Sequence, residues 1–391
     1  MDAELLRSAE GLRLEEVAAR LGREVVAAHA AAVDVESRFP SESFQAIRDA
    51  GLLAALVPVE YGGGGCTYAD VAAICTELGR HCGSTSMIYA MHQIQVACVV
   101  QHCGGVPHFE QFLREICSRG RLIASATTEG GVGGDVRSSI CAVQADGDRF
   151  TLEKLGTVIS YGLAVDDILV TARRNPDAPS SDQVILHIQR PDYDLEQVGT
   201  WDAFGMRGTC SDSFTLRASG ALAQIVPQPY AVLSERTMLP VTHIFWASTW
   251  LGIASDAVER ARASIRAAAR RNPGTLPPRA RDLARLQAQL DVMRSSIQAA
   301  LVEYAHAIGN PEATSTMGFA IRMNDLKLSA STAVTEIVEG AMRVAGLVAY
   351  RNDTPYSLGR HMRDAHSAAL MVHNERLIEH NANLLCLAKE V

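Results

Sequence analysis

The succession of periodicities along the chain predicts an α+β fold: a helical N-terminal domain, a central antiparallel β-barrel or sandwich, and a C-terminal four-helix bundle. Three observations carry this. Apolar residues recur at helical spacing up to about residue 121. Between 122 and 230, short β-rich runs alternate with turn signals such as Asp146-Gly147-Asp148 and Asn175-Pro176-Asp177. From 231 to the end, helical patterning returns in long segments separated by Gly/Pro breaks. The expected domains are therefore 1–121, 122–230 and 231–391, and a chain of 391 residues is long enough for more than one core.

Each element has a local reason. Leu12 to Ala32 carries a helical apolar stripe, and Phe39-Pro40-Ser41 reads as a stop followed by a new helix start. Ser43 to Ala50 is a short helix closed by Gly51. The run Gly62-Gly63-Gly64-Gly65 must be loop. Tyr68 to Arg80 and Ser84 to Gln101 are helices, the second apolar nearly all round and so buried. His92 within it reads as a hydrogen-bonded core histidine before it reads as a ligand. The central strands are expected at Ile140 to Val143, Arg149 to Leu152, Asp167 to Ala172, Gln183 to Ile188 and Phe214 to Ala218. Four bundle helices follow: Val241 to Arg271, Arg279 to Ile308, Thr314 to Gly346, and Arg363 to Lys389 with an interruption near Val372 to Glu375.

Composition removes several function classes. The chain is 48% apolar and 20% charged, an ordinary globular mixture. A net charge of −8 with no basic stripe argues against nucleic-acid binding. No apolar run reaches the roughly 18 residues of a membrane span, and Met1-Asp2-Ala3-Glu4 lacks the features of a signal peptide. A soluble cytoplasmic protein is expected. The nine cysteines show no Cys-x-x-Cys pair, so no metal site is expected and the thiols are read as free. Cys210, in a polar segment, is the one with a possible redox or nucleophilic role.

The chemically suggestive stretch is Thr127-Thr128-Glu129-Gly130-Gly131-Val132-Gly133-Gly134-Asp135, with Val158-Ile159-Ser160 beyond it. Gly-Gly steps let consecutive N–H groups approach an anion or a polar ring edge. Taken alone, the stretch reads equally as a ligand loop or as part of a hairpin-rich β module without a ligand.

The order of five landmarks resembles the acyl-CoA dehydrogenase superfamily of flavoproteins, over nearly the whole chain. Phe39-Pro40, Gly51-Leu52 and Val57-Pro58-Val59-Glu60-Tyr61-Gly62-Gly63 are similar to its N-terminal pattern. Thr128 to Asp135 resembles its Thr-Glu-Pro-x-Ala-Gly-Ser-Asp, with Gly130 for Pro and Gly134 for Ser. Val158-Ile159-Ser160 resembles Trp-Ile-Thr/Ser, Gly205-Met206-Arg207-Gly208-Thr209 resembles Gly-x-Arg-Gly-Ser/Thr, and Arg363-Asp364-Ala365 resembles the C-terminal Arg-Asp-Ala.

The resemblance implies FAD as cofactor, with FMN or reduced flavin as co-substrate in the monooxygenase branch. It places Thr127, Thr128, Gly133 and Val158 along the ring, Ser160 near N5, and Arg270 near the diphosphate, although the Phe-Gly that follows in relatives is absent. It also implies a homodimer or homotetramer with flavin at a subunit interface.

The expected carboxylate base is missing. In most relatives it lies nine residues after the Arg of Arg-Asp-Ala, where this chain has Val372. The minority position on the first long bundle helix corresponds to Thr242. Two readings compete. One is α,β-dehydrogenation of an acyl thioester on CoA or a carrier protein, with Glu375 or His373 as base and electron-transfer flavoprotein as partner. The other is a two-component flavin monooxygenase fed by a flavin reductase, using Ser160 with His243 and His373 or His366. A third possibility is a flavin- or thioester-binding relative without turnover. Phe245, Trp246 and Trp250 would line and shorten the acyl cavity, favouring a short or ring-containing substrate, unless they pack into the bundle core.

Overall fold

The computed structural model describes residues 6–133, 135–271, 274 and 277–387. Gly134, which replaces the family's Ser, lies outside the described residues, as does most of the 272–276 break.

Six helices come first: α1 (Ala9–Leu21), α2 (Ala27–Val35), α3 (Ser41–Asp49), α4 (Tyr68–His81), α5 (Gly83–His102) and α6 (Pro107–Arg119). The single helix expected over Leu12 to Ala32 is interrupted by a π turn at Gly22–Val26. The α4 start is a capping box, in which Thr67 Oγ1 accepts from the Asp70 N–H at 3.2 Å and Asp70 Oδ2 accepts from the Thr67 N–H at 2.9 Å. α5 is buried on nearly every face, as its all-round apolar pattern predicts. His92 on α5 is a core residue: Nε2 lies 2.8 Å from the Leu53 carbonyl, and Nδ1 accepts from the Ile123 N–H at 3.1 Å.

Seven strands follow: β1 (Ile123–Ala126), β2 (Gln144–Asp146), β3 (Arg149–Gly156), β4 (Asp167–Arg173), β5 (Gln183–Gln189), β6 (Tyr193–Gly199) and β7 (Ser213–Ala221). They form two open sheets, β1-β4-β5 and β2-β3-β7-β6. The sandwich alternative holds, and the closed barrel does not. One pair also departs from the antiparallel expectation, since β1 runs parallel to β4. The strand expected at Ile140 to Val143 is reduced to a single bridge between Ala142 and Arg173. Its backbone is taken up by the Glu129 side chain instead, as described below.

The C-terminal part comprises α7 (Tyr230–Leu233), α8 (Leu239–Arg271), α9 (Ala280–Ala307), α10 (Pro311–Thr314), α11 (Met317–Ala345), α12 (Leu347–Tyr350), α13 (Gly359–His366) and α14 (Asn374–Leu387). The expected fourth long helix is two, because residues 367–373 turn between α13 and α14. α8 is the central rod, packed against α4, α9 and α11. Its crossing with α4 is backbone-close: a Cβ on Gly252 would lie 2.3 Å from the Thr76 carbonyl, and one on Gly79 would lie 2.6 Å from that of Thr249. From α5, Ser86 Oγ reaches Thr249 Oγ1 of α8 at 2.8 Å beside that crossing.

One carboxylate joins the three parts. Asp364 on α13 is buried and accepts from the Met206 N–H at 2.7 Å in the loop before β7. Its other oxygen lies where a Cβ on Gly83 of α5 would be 3.0 Å away. Gly205 has no room for a side chain, since a Cβ would sit 2.0 Å from the Arg363 carbonyl. Arg363 pairs with Asp34 at the end of α2, and Arg207 donates to the Asp34 carbonyl at 2.8 Å.

Burial pushes the Asp364 carboxyl up to about 6. A carboxyl raised in the folded state contributes stability that is complete below its unfolded value near 3.9 and is lost as pH rises through 6. Relative to Asp364→Asn, which has no such titration, the wild type should lose on the order of 2–3 kcal/mol between pH 4 and 7. Urea unfolding of both proteins across that range measures this, and parallel pH profiles would refute it.

Candidate flavin and substrate site

The two motifs singled out in the sequence are clipped together by one side chain. Thr128 Oγ1 donates to the Val158 carbonyl at 2.9 Å and accepts from the Val158 N–H at 3.1 Å. Its proton is therefore committed to protein. The Gly130 N–H donates to the Leu155 carbonyl at 2.9 Å, a bond that the Pro usual in relatives would forfeit. Gly131 and Gly133 are left-handed, with φ of 91° and 60°, and a Cβ at Gly133 would meet nothing within 4 Å. Thr127 and Thr128 are half-buried and Val158 is exposed, so the loop offers an open shelf of backbone beside them.

Glu129 has a structural role that the sequence reading did not assign. Its buried carboxylate accepts from Ser139 Oγ at 2.6 Å and from the Ile140 and Cys141 N–H groups at 3.1 and 2.6 Å. It also faces the buried Lys154 Nζ at 3.4 Å. Lys154 in turn donates to the Thr171 carbonyl at 2.7 Å, tying the β3 side chain to β4. The signal was available: a lysine on the inward-facing period of β3 needs an acidic partner.

Ser160 is half-buried, with its Oγ 2.8 Å from Ser211 Oγ. The next residue, Tyr161, has φ 46° and sends its hydroxyl to the Ile123 carbonyl at 2.9 Å. Cys210 is half-buried, and burial pushes its thiol up to about 11, which opposes a thiolate role.

The C-terminal turn lies against the Gly-rich loop, where Arg376 donates to the Gly133 carbonyl. Val372, at the expected carboxylate position, is left-handed with φ 45°, a strained state for a β-branched residue. Lys327 of α11 holds this turn, donating to the Val372 carbonyl at 2.9 Å and to Asn374 Oδ1 at 2.5 Å. Desolvation lowers the Lys327 ammonium to about 8. His373 on the clamped turn and Glu375 in the first turn of α14 are exposed.

On α8, His243, Trp246 and Trp250 fall at i, i+3 and i+7, one face of the helix. His243 is buried; Nδ1 lies 3.0 Å from the Met323 carbonyl, and Nε2 has no partner among the described residues. Burial lowers the imidazole to about 4, so it is neutral, with the proton on Nδ1 and a bare lone pair on Nε2. The Trp246 and Trp250 indole N–H groups are likewise buried without a partner among the described residues, with ring centroids 6.3 Å apart. Phe245 sits on another flank against Tyr68, at 6.2 Å, in the bundle core. Thr242 is buried, whereas Arg270 and His366 are exposed. A cleft of about 940 Å³ bordered by Glu129, Gly130, Arg173 and Arg217 is lined by neither Ser160 nor the α8 stripe.

Family models for the acyl-CoA dehydrogenase N-terminal and C-terminal domains match residues 8–143 and 235–371. The chain belongs to the acyl-CoA dehydrogenase superfamily. YdbM of Bacillus subtilis, a candidate acyl-CoA dehydrogenase, is 25% identical over 349 residues, covering 86% of each chain. Among solved structures, FMN-bound TdsC of Paenibacillus sp. A11-2, a dibenzothiophene monooxygenase, superposes with TM-score 0.82 at 20% identity, covering 95% of this chain and 97% of its own. Butyryl-CoA dehydrogenase of Megasphaera elsdenii gives TM-score 0.79 at 18% identity, covering 97% and 98%. Membership makes this chain a flavin-dependent oxidoreductase with FAD as the family's cofactor. The open glycine shelf and the half-buried Ser160 hydroxyl fit a flavin ring edge. No helix is long and apolar enough to cross a membrane among the described residues.

Removing the Glu129 carboxylate should be costly, because Lys154 would be left buried and uncompensated. Glu129→Ala is expected to cost about 3–5 kcal/mol in urea unfolding and to release bound flavin. A loss below 1 kcal/mol would show that Lys154 and the 139–141 backbone find other partners.

Proposed function

We propose that this protein is a flavin-dependent α,β-dehydrogenase of a compact acyl thioester, with its base where the 367–373 turn enters α14. The observation that carries this is the clamped turn into α14, held by Lys327 and joined to the Gly-rich loop through Arg376, with His373 on the turn and Glu375 in the first turn of the helix. The C-terminal family match, residues 235–371, spans α8 and α13 and supports the flavin-oxidoreductase part of this reading. When bound, the flavin supplies hydride acceptance at N5. The protein's part is to seat the ring on the shelf at residues 127–133 and Val158, to set Ser160 beside N5, and to present Glu375 for the α-proton. Exposed in the isolated subunit, Glu375 would lose solvent once flavin, substrate and a second copy cover the turn. The exposed apolar residues Leu347, Tyr350, Leu370 and Leu387 support association of copies. Electron-transfer flavoprotein would then take the electrons.

A second reading, a two-component monooxygenase, is favoured by His243. An imidazole held neutral at about 4 accepts a hydrogen bond well but is a weak base for an α-proton. The indole N–H groups of Trp246 and Trp250, without partners among the described residues, suit a ring-containing substrate with acceptor atoms.

The purified protein separates these. Yellow, tightly bound FAD that bleaches anaerobically on adding an acyl thioester is the expected result. Protein that binds only reduced flavin and transfers labelled O2 into a ring substrate would overturn the dehydrogenase reading. In a dehydrogenase, Glu375→Gln should lower kcat by about 10²-fold or more, while His243→Ala leaves the chemical step largely intact. The reverse pattern belongs to the monooxygenase. His243 would in either case contribute no limb to the pH–rate profile between pH 5.5 and 8, since it stays neutral throughout that window.

A further inference from the structure

Three hydroxyls run inward from Ser160 in single file. Ser160 Oγ is 2.8 Å from Ser211 Oγ, Ser211 Oγ is 2.8 Å from Thr209 Oγ1, and Thr209 Oγ1 is 2.8 Å from the Met206 carbonyl oxygen. Thr209 and Ser211 are buried. Each hydroxyl has one proton to give. The carbonyl has none, so Thr209 must donate to it. Thr209 then meets Ser211 with a lone pair, so Ser211 donates to Thr209, and by the same step Ser160 donates to Ser211. The opposite direction would set two lone pairs 2.8 Å apart in a dry site, where an unmade bond is most expensive.

The inner end of this file is fixed independently. The Met206 N–H is held by Asp364, and its carbonyl also receives the Trp201 indole N–H at 3.1 Å and the Thr209 N–H at 3.1 Å. Of the five non-glycine residues with positive φ among those described, Tyr161, Met206 and Cys210 flank the file. Their backbone is pinned by the Tyr161 N–H, which lies 2.7 Å from the Thr209 carbonyl and 3.1 Å from that of Cys210. Such sparsely populated conformations persist where surrounding structure over-determines them.

We propose that Thr209 and Ser211 commit the Ser160 hydroxyl to accept, and not donate, toward the flavin, so that the site selects reduced over oxidised flavin. N5 of the oxidised ring offers a lone pair, which an acceptor-only hydroxyl does not satisfy. N5 of the reduced ring carries an N–H, which it does. The inference rests on the placement of Ser160 beside N5 in the proposed function, and holds for either reaction. Thr209 and Ser211 are positioning residues that act through Ser160.

The test is the ratio of dissociation constants for oxidised and reduced FAD, measured anaerobically, together with the midpoint potential of the bound flavin. Wild type should bind reduced flavin more tightly. Thr209→Val frees the Ser211 proton to turn toward Ser160, and Ser211→Ala removes the middle link. Each should cut the preference for reduced flavin by about tenfold, which for a two-electron couple lowers the potential by about 30 mV. Thr209→Ser should restore it. A shift in Ser160→Ala with none in Thr209→Val or Ser211→Ala would overturn the relay and leave the Ser160 placement standing. No shift in any variant would overturn both. Equal weakening of both flavin states, with the ratio unchanged, would reduce Thr209 to a packing role and overturn the proposal.

Discussion

The buried Asp364 carboxylate is the constraint on which the rest of the molecule depends. It sits where α13, α5 and the loop before β7 meet, and its bond to the Met206 N–H fixes a residue that itself has φ 51°. Placing an anion there is costly, as the upward shift of its pKa shows. The return is geometric, because the Met206 carbonyl on the other side of the same peptide region terminates the hydroxyl file from Ser160. A bond between a bundle helix and a β-domain loop thus bears on the orientation of the Ser160 hydroxyl, which the proposed function sets beside N5. The Arg363–Asp34 pair and the Arg207 bond to the Asp34 carbonyl extend the junction to the N-terminal helices.

That junction changes what the motif residues are for. Several side chains within the motifs are spent on the protein, Thr128 among them, which the family resemblance sets along the ring. Thr128 Oγ1 uses its proton and a lone pair on Val158, Glu129 gathers residues 139–141 and faces Lys154, and Arg207 holds the backbone at Asp34. What remains for a flavin is backbone, the Thr127 hydroxyl and the polarised Ser160. This is a sensible division, since a preorganised donor or acceptor is useful in proportion to how firmly its support is held.

Helix boundaries were legible because their causes are local. The ends of α8, α9 and α11 fall within a few residues of the Gly/Pro breaks that predict them, and α5 declares its burial through an apolar surface all round. The parallel β1–β4 pair was not legible, because register and direction depend on contacts between strands some 40 residues apart. Nor was the π turn at Gly22–Val26, which no local composition marks. At the site, the spacing of His243, Trp246 and Trp250 was readable as one helix face, but only the packing shows Phe245 turned into the core against Tyr68. The hydroxyl file was invisible in the sequence, since its direction follows from a carbonyl.

The chemistry finally turns on how Val372 and His243 share the loss of a carboxylate. A β-branched residue in the left-handed region is strained, and Lys327 holds it there through its carbonyl, so the turn keeps a fixed shape without its usual acid. The proposed dehydrogenase reading uses this fixed shape to place His373 and Glu375 beside it. The buried Nε2 of His243, without a partner among the described residues, is open to a donor from a substrate that reaches it, since an unsatisfied buried nitrogen is otherwise a loss of about 1–3 kcal/mol. Under the proposed reading, a thioester that reached this face would bring a donor to that nitrogen and acceptors to the two indoles, which suits a compact acyl group bearing polar atoms better than a plain fatty acyl chain.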